Sequence, residues 1–219
     1  MSRLTQVVVG PLAAASANNI ALSQTAVGAQ NLTINGAAAT GGVATLDVQR
    51  RVIVTSAGND SGITFTCYGT DAAGSLLQAT VAGANIGAAD FGVSFKTVTR
   101  VATSAATAAA VTVGTNGVAD SRPIFLDAFG FGPGYVQASV TGTVNYTVWQ
   151  SNEDPNGVVC YNIPIGLANI TWNPDTILNS LASNSFNVWS ASPHLCKVTL
   201  NSGTGSVRVT ITQHASPSI

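Results

Sequence analysis

The chain has 219 residues, of which 46% are hydrophobic and only 8% are charged, against roughly 25% charged residues in ordinary soluble domains. The formal net charge is -1, and the Lys and Arg residues are scattered, with Arg50-Arg51 as their one adjacent pair. This pattern lacks the basic surface of proteins that bind nucleic acid directly, and no run approaches the roughly 18 apolar residues of a membrane-spanning helix.

The first segment, residues 1–30, is rich in small residues and has weak periodicity. We predict that it is an N-terminal arm, which adds to a neighbouring subunit by strand pairing. Within it, a short β-prone run is the expected pairing strand. The candidate interface residues of this strand are Gln6, Val7, Val8 and Val9.

Residues 31–118 have the pattern of a β-sandwich module. Short runs rich in Val, Ile, Thr and Phe recur about every ten residues between turn formers such as Asn35-Gly36. In one such run Ile63, Phe65 and Cys67 alternate with polar neighbours, which predicts a strand with one buried face.

Residues 119–219 are predicted to form a second β-sandwich module, which begins near the turn formers before Pro123. Between Asn173 and Ser185, a capping Asn, a following Pro and an apolar patch at Ile177, Leu178 and Leu181 predict the one short helix. The expected fold class is therefore all-β, an antiparallel β-sandwich or jelly-roll-like fold of two modules with at most one short helix.

Residues that could take part in catalysis or bind a metal ion are few. The pair Cys196 and His194 lacks an apparent orienting Asn or Asp, and the adjacent acids Glu153-Asp154 would point to opposite faces of a strand. We therefore expect no catalytic residue, no cofactor and no metal ligand. Two turn-rich loops are predicted to be solvated, with calcium binding through oxygen ligands as the alternative: Asn152, Glu153, Asp154 and Asn156 in one, and Asn59-Asp60-Ser61-Gly62 in the other.

The three cysteines, Cys67, Cys160 and Cys196, are odd in number and widely spaced. This spacing favours buried thiols over a disulfide framework or a metal site, with a Cys160–Cys196 bridge as the alternative.

A Gly-rich stretch from Phe129 to Tyr135 interleaves three aromatic residues with glycine. It is predicted to be either a constrained loop or a contact surface for a neighbouring subunit, since aromatic residues are enriched in interface cores. Phe129, Phe131 and Tyr135 are therefore further candidate interface residues.

Several long motifs stand out in the sequence. They are TLDVQRRVIVTSAGNDSGITFT at 45–66, Gly69-Thr70-Asp71, Phe95 to Val98, Val140 to Val148, Asp154-Pro155 and Leu200 to Val207. In this order they resemble a family of virion structural proteins of tailed bacteriophages, and the resemblance extends over most of residues 25–213. The sequence departs from the family at Cys67, where a β-branched residue is expected, and in the apolar stretch Asn156 to Asn169.

The resemblance implies a structural role in the virion and carries over no catalytic residue. Together with the low charge, it leads us to expect a capsid decoration (cement) protein, assembled in the host bacterial cytoplasm. Its partners would be the major capsid protein or other virion proteins, and it would be a trimer or dimer. The alternatives are a tail, head-to-tail connector or fibre-anchoring component, and a carbohydrate-binding surface module that would expose Trp149, Trp172 or Trp189.

Overall fold

A computed structural model describes residues 3–126, 133–154 and 170–213. The described residues form β-strands and turns without a helix, so the predicted all-β fold class is confirmed. The strands are β1 (Arg3–Val9), β2 (Ser16–Gln24), β3 (Gln30–Leu32), β4 (Ala39–Thr40), β5 (Val43–Asn59), β6 (Thr64–Thr70), β7 (Leu76–Ala82), β8 (Asn85–Thr103), β9 (Val111–Asp120), β10 (Ile124–Phe125), β11 (Gly134–Thr141), β12 (Val144–Ser151), β13 (Asn173–Pro174), β14 (Ser185–Trp189), β15 (Leu195–Gly203) and β16 (Ser206–Gln213).

The chain divides into two compact units. The terminal unit consists of Met1–Pro11 and Asp120–Ile219, and the middle unit is Leu12–Ala119. The division falls one residue from the module boundary expected at 118/119. The arm expected over residues 1–30 contributes β1 to the terminal unit and β2 to the middle unit.

The middle unit is built on two long antiparallel strands, β5 and β8. Its strand order is β9-β5-β8-β6-β7, with β2 on β9, β3 on β8 and β4 on β5. In β6 the alternation predicts the burial: Phe65 and Cys67 are fully buried in the core, and Thr64 and Thr66 lie on the other face. Gly69 lies where β6 changes register against β8, and a Cβ there would overlap the backbone oxygen of Thr97.

A buried cation fixes the start of the middle unit. The Arg50 side chain is 1% exposed and donates hydrogen bonds to the backbone oxygens of Ala13 (3.0 Å) and Asn116 (2.6 Å) and to the Asp47 carboxylate (3.2 Å). Burial raises the pKa of Asp47, but the Ala13 N–H and the Arg50 guanidinium outweigh it, and the net shift is downward. The charge therefore joins three separate segments of the chain.

The terminal unit contains two packed antiparallel sheets. One has the order β1-β16-β11-β14, and the other contains β13-β12-β15 with β10 on β15. Inward-facing side chains of both sheets are fully buried, as in a β-sandwich. They include Tyr146, Val198, Leu200, Val209 and Ile211.

The predicted helix between Asn173 and Ser185 is wrong. The Asp175 carboxylate accepts hydrogen bonds from the Ile177 and Leu178 N–H groups, as a helix cap would. The turn does not continue, because Ser180 has a positive φ of 56° and Leu181 exchanges backbone hydrogen bonds with Tyr146 in β12. Long-range pairing thus takes the backbone groups that a helix would use locally.

Asp175 is the buried anchor of this segment. It is fully buried and also accepts hydrogen bonds from Asn187 Nδ2 (3.0 Å to each oxygen) and Trp189 Nε1 (2.6 Å). Burial alone raises its pKa, but the hydrogen bonds, led by that from Trp189, lower it below the usual value. The carboxylate therefore ties the 175–181 turn to β14.

Candidate functional site

The first strand separates the four candidate residues of the arm onto two faces. Gln6 and Val8 are exposed on one side of the four-stranded sheet, whereas Val9 is buried and Val7 half-buried on the other side. The strand pairs with β16 of its own chain, from Arg3↔Gln213 to Val9↔Val207. Pairing with a neighbouring subunit would therefore use the opposite edge of β1.

The register of the sheet brings Tyr135 to the same face as Gln6 and Val8. Tyr135 lies opposite Thr212 of β16 on one side and Val188 of β14 on the other, and Thr212 lies opposite Leu4. We call the exposed side of this sheet the outer face. Its residues are Leu4, Gln6, Val8, Tyr135, Gln137, Phe186, Val188, Arg208, Thr210 and Thr212.

Large apolar side chains are concentrated on the outer face. The exposed fraction is 71% for Phe186, 63% for Leu4, 58% for Val8, 46% for Tyr135 and 45% for Val188. The outward residues of β16, which are Arg208, Thr210 and Thr212, lie between the apolar side chains of β1 and those of β11 and β14. Isolated exposed apolar residues are ordinary, but several on one face of a sheet indicate an interaction surface. Paired strands hold these side chains in place, so little conformational entropy is lost when they are covered.

The chemistry of the outer face suits contact with a protein. Gln6 Nε2 donates to Thr210 Oγ1 at 3.1 Å, and a shallow groove runs between Tyr135 and Phe186. Arg208 supplies the one charge among the outer-face residues, which include no carboxylate, histidine or cysteine. The face can bury apolar area and form a few hydrogen bonds, which is the composition of an interface core.

Sequence patterns identified only part of this surface. Phe129 and Phe131 lie outside the described residues, so their predicted role as interface residues remains a prediction. Phe186 and Val188 were missed, because the predicted helix ended just before them. The alternation of Phe186 and Val188 with Asn187 and Trp189 was the signal for a strand there.

The tryptophans do not form an open aromatic platform among the described residues. Trp189 is buried, with its indole N–H on Asp175. Trp149 and Trp172 are half-buried, and Lys197 Nζ lies 5.7 Å and 4.8 Å from the centres of their rings. The lysine therefore lies against both rings in a cation–π arrangement.

The candidate nucleophile pair is poorly suited to catalysis. Cys196 is fully buried, and burial raises the pKa of its thiol far above the usual value, which opposes formation of a thiolate. Cys196 and Cys67 are both free and buried, as predicted, and Cys160 lies outside the described residues. His194 is half-buried, and its Nδ1 has no hydrogen-bond partner within the described part of the chain.

The oxygen-rich loops use their side chains to hold the backbone. Asn59 Oδ1 accepts from the Ser61 N–H, Asp60 Oδ1 from the Ala108 N–H, and Glu153 Oε2 from the Thr171 N–H. Asn156 lies outside the described residues. Over residues 3–126, 133–154 and 170–213, no group of three or more His, Cys, Asp or Glu side chains is arranged to hold a metal ion.

Comparison with protein-family models, curated proteins and solved structures finds no match for this chain. The described part of the chain also contains no helix of the length and apolarity needed to cross a membrane.

Proposed function

We propose that this chain is a structural protein of a tailed bacteriophage particle, where it acts as a capsid decoration (cement) protein. The observation that carries the proposal is the apolar outer face of the terminal unit in a chain with only 8% charged residues. On a capsid, this face would lie against the major capsid protein. The motifs that resemble virion structural proteins support the same role.

The size of the apolar face fits a protein held by more than one contact. Complete burial of one large apolar side chain contributes roughly 1.5–3 kcal/mol. Because about half of each of the five large apolar side chains on the outer face is exposed, covering them would contribute roughly 4–8 kcal/mol. Association itself costs an estimated 4–15 kcal/mol, so one face alone gives weak binding. Repeated, symmetric attachment to a shell would add the remaining affinity.

The direct test is the copy number per particle. Particles of the phage whose genome encodes the chain would be purified, and the protein quantified by mass spectrometry against the major capsid protein. A decoration protein is expected in hundreds of copies, because closed shells repeat their binding sites. A tail or connector component would be present in a dozen copies or fewer, and its absence from particles would refute a structural role.

A pair of variants tests the outer face itself. Phe186→Ser removes its most exposed apolar side chain and should reduce occupancy on particles at least about tenfold, as expected for the loss of a well-packed aromatic contact. Val27→Ser is the matched control, because Val27 is 86% exposed and lies outside the terminal unit. Equal occupancy of the two variants would show that a different surface binds the capsid.

A further inference from the structure

The edge of the four-stranded sheet formed by β1 is a candidate site for self-association. Within the described residues, β1 has a neighbour on one side only, β16. In an antiparallel ladder, alternate N–H and C=O groups point away from that neighbour. The free side of β1 therefore offers a row of backbone donors and acceptors, and these fit another extended strand.

Apart from Arg3 at its start, β1 lacks the features by which proteins usually protect exposed strands. From Leu4 to Val9 there is no charged residue and no proline, and the pairing with β16 runs without a bulge. Leu4 and Val8 remain 63% and 58% exposed. The opposite edge, β14, is shorter, with five residues against seven. The first strand is thus the better site for strand addition.

We propose that β1 pairs antiparallel with β1 of a second copy of this chain, with Gln6 opposite Gln6 at a twofold axis. The two four-stranded sheets would then form one eight-stranded sheet. The sequence of β1 is complementary to itself in this register, because Leu4 of each copy lies opposite Val8 of the other. Apolar cross-strand pairs of this kind stabilise a sheet, and the two glutamine amides can hydrogen-bond at its centre.

Other registers are less favourable. The Gln6-centred register uses all seven residues of β1. A shift by two residues shortens the ladder and places Gln6 opposite Leu4 or Val8. A shift by one residue would place outward side chains opposite inward ones. The Gln6-centred alignment therefore combines the longest ladder with apolar Leu4–Val8 pairs on the outer face, and it places Arg3 opposite Val9 at each end of the ladder.

The charge on the outer face is compatible with this dimer. Arg208 lies opposite Val8 within one copy, and Thr212 lies opposite Leu4. In the dimer, Val8 of one copy lies opposite Leu4 of the second copy. Thr212 of the second copy lies on the far side of that Leu4, on strand β16. The two Arg208 side chains therefore do not face each other, and the like-charge repulsion that disfavours a strand pair is absent.

This inference does not depend on where the protein is located, so it is tested with the purified full-length chain. Sedimentation equilibrium should show a monomer–dimer equilibrium. Gln6→Lys places two ammonium groups face to face at the axis, and should raise the dimer Kd roughly tenfold or more. Gln137→Lys is the matched control, because Gln137 is exposed on the same face but lies on the central strand β11. Its dimer Kd should stay within about twofold of that of the unaltered chain.

A cross-linking experiment tests the register. Directly opposed residues in an antiparallel ladder have Cα atoms about 4.5–5.5 Å apart, within the range of about 4.4–6.8 Å for disulfides. Under mild oxidation Gln6→Cys should therefore form a covalent dimer, whereas Gln137→Cys and the unaltered chain should not. A chain that is monomeric at all concentrations, a dimer insensitive to Gln6→Lys, or equal cross-linking of both cysteine variants would overturn the proposal.

Discussion

Replacing Asp175 with asparagine tests whether a buried carboxylate holds the terminal unit together. The two side chains are nearly equal in size, so the substitution changes hydrogen bonding and charge rather than packing. The remaining carbonyl oxygen can still accept from the Ile177 and Leu178 N–H groups. The new NH₂ group, however, would face the Trp189 indole N–H and the Asn187 amide, which are both donors.

The expected cost follows from these contacts. The substitution removes a charge-assisted hydrogen bond of 2.6 Å to Trp189 Nε1 and leaves that buried donor without a partner. Such a loss costs about 3 kcal/mol of unfolding free energy. Glu153→Gln is the control in the same unit, since Glu153 is half-buried and accepts one hydrogen bond, from Thr171. It should cost less than about 1 kcal/mol.

The difference in stability between the unaltered chain and the Asp175→Asn variant should depend on pH. Because the folded-state pKa of Asp175 is lowered, its stabilisation is fully present above the unfolded value of about 3.9. It is lost as the pH falls through the folded pKa. The gap in unfolding free energy between the two proteins should therefore be constant from about pH 5 to 7 and shrink below about pH 4.

Urea denaturation followed by tryptophan fluorescence measures this gap. All three tryptophans belong to the terminal unit, so the signal reports on that unit. Equal urea midpoints for the unaltered chain and Asp175→Asn at pH 7 would refute the anchoring role. A gap that keeps its size at about pH 3 would show that the ionised form of the carboxylate is not what stabilises the fold.

Two further pairs of substitutions, each a test and its control, probe the middle unit by chemical denaturation followed by circular dichroism. Arg50→Lys should lower the free energy of unfolding by about 2 kcal/mol, because an ammonium group cannot reach the three acceptors that the guanidinium joins. The control is Arg51→Lys, at a neighbouring and more exposed ion pair of 3.9 Å, and it should lower that free energy by under about 1 kcal/mol. Gly69→Ala should cost at least about 2 kcal/mol, because the added Cβ overlaps backbone of β8, whereas Gly62→Ala, which has open space around its Cβ position, should be within about 0.5 kcal/mol of neutral. Equal effects within either pair would contradict the structural explanation.

The strands were predictable where one side of the backbone is buried and the other is not. In β6 and β16 the apolar residues alternate, and the buried side chains Phe65, Cys67, Val207, Val209 and Ile211 follow that alternation. A period of two residues is a local property of the sequence, so no knowledge of the partner strand is needed to recognise it.

The helix wrongly predicted between Asn173 and Ser185 shows that local sequence patterns do not determine whether a first helical turn continues. Asn173 and Pro174 have the pattern of a helix start, and the segment does contain a capping carboxylate, Asp175. A cap, however, stabilises the first turn whether or not a second turn follows. What ends the turn is the pairing of Leu181 with Tyr146 in β12, a contact set by tertiary structure that no local pattern contains.

The outer face was only partly predictable for the same reason. Gln6, Val8 and Tyr135 stood out individually, but they lie on strands far apart in the sequence. Pairing between β1 and β16 joins residues that lie near opposite ends of the chain, as in the hydrogen bond of Gln6 to Thr210. A surface assembled by register across four strands is visible only once the strand order is known.

The distribution of charge connects the fold with the proposed function. Arg50, Asp60, Asp120 and Asp175 are buried, and three of these, Arg50, Asp60 and Asp175, accept from or donate to backbone groups. These charged residues therefore hold segments together inside each unit, and the exposed surface is poorer in charge than the composition alone indicates. The exposed apolar side chains of the outer face and the β1 edge, which has no second neighbour among the described residues, both favour coverage by protein. A second copy would cover the β1 edge, and a capsid shell would cover the outer face. Both contacts could form at once, because a twofold axis perpendicular to the sheet leaves the outer faces of both copies on the same side.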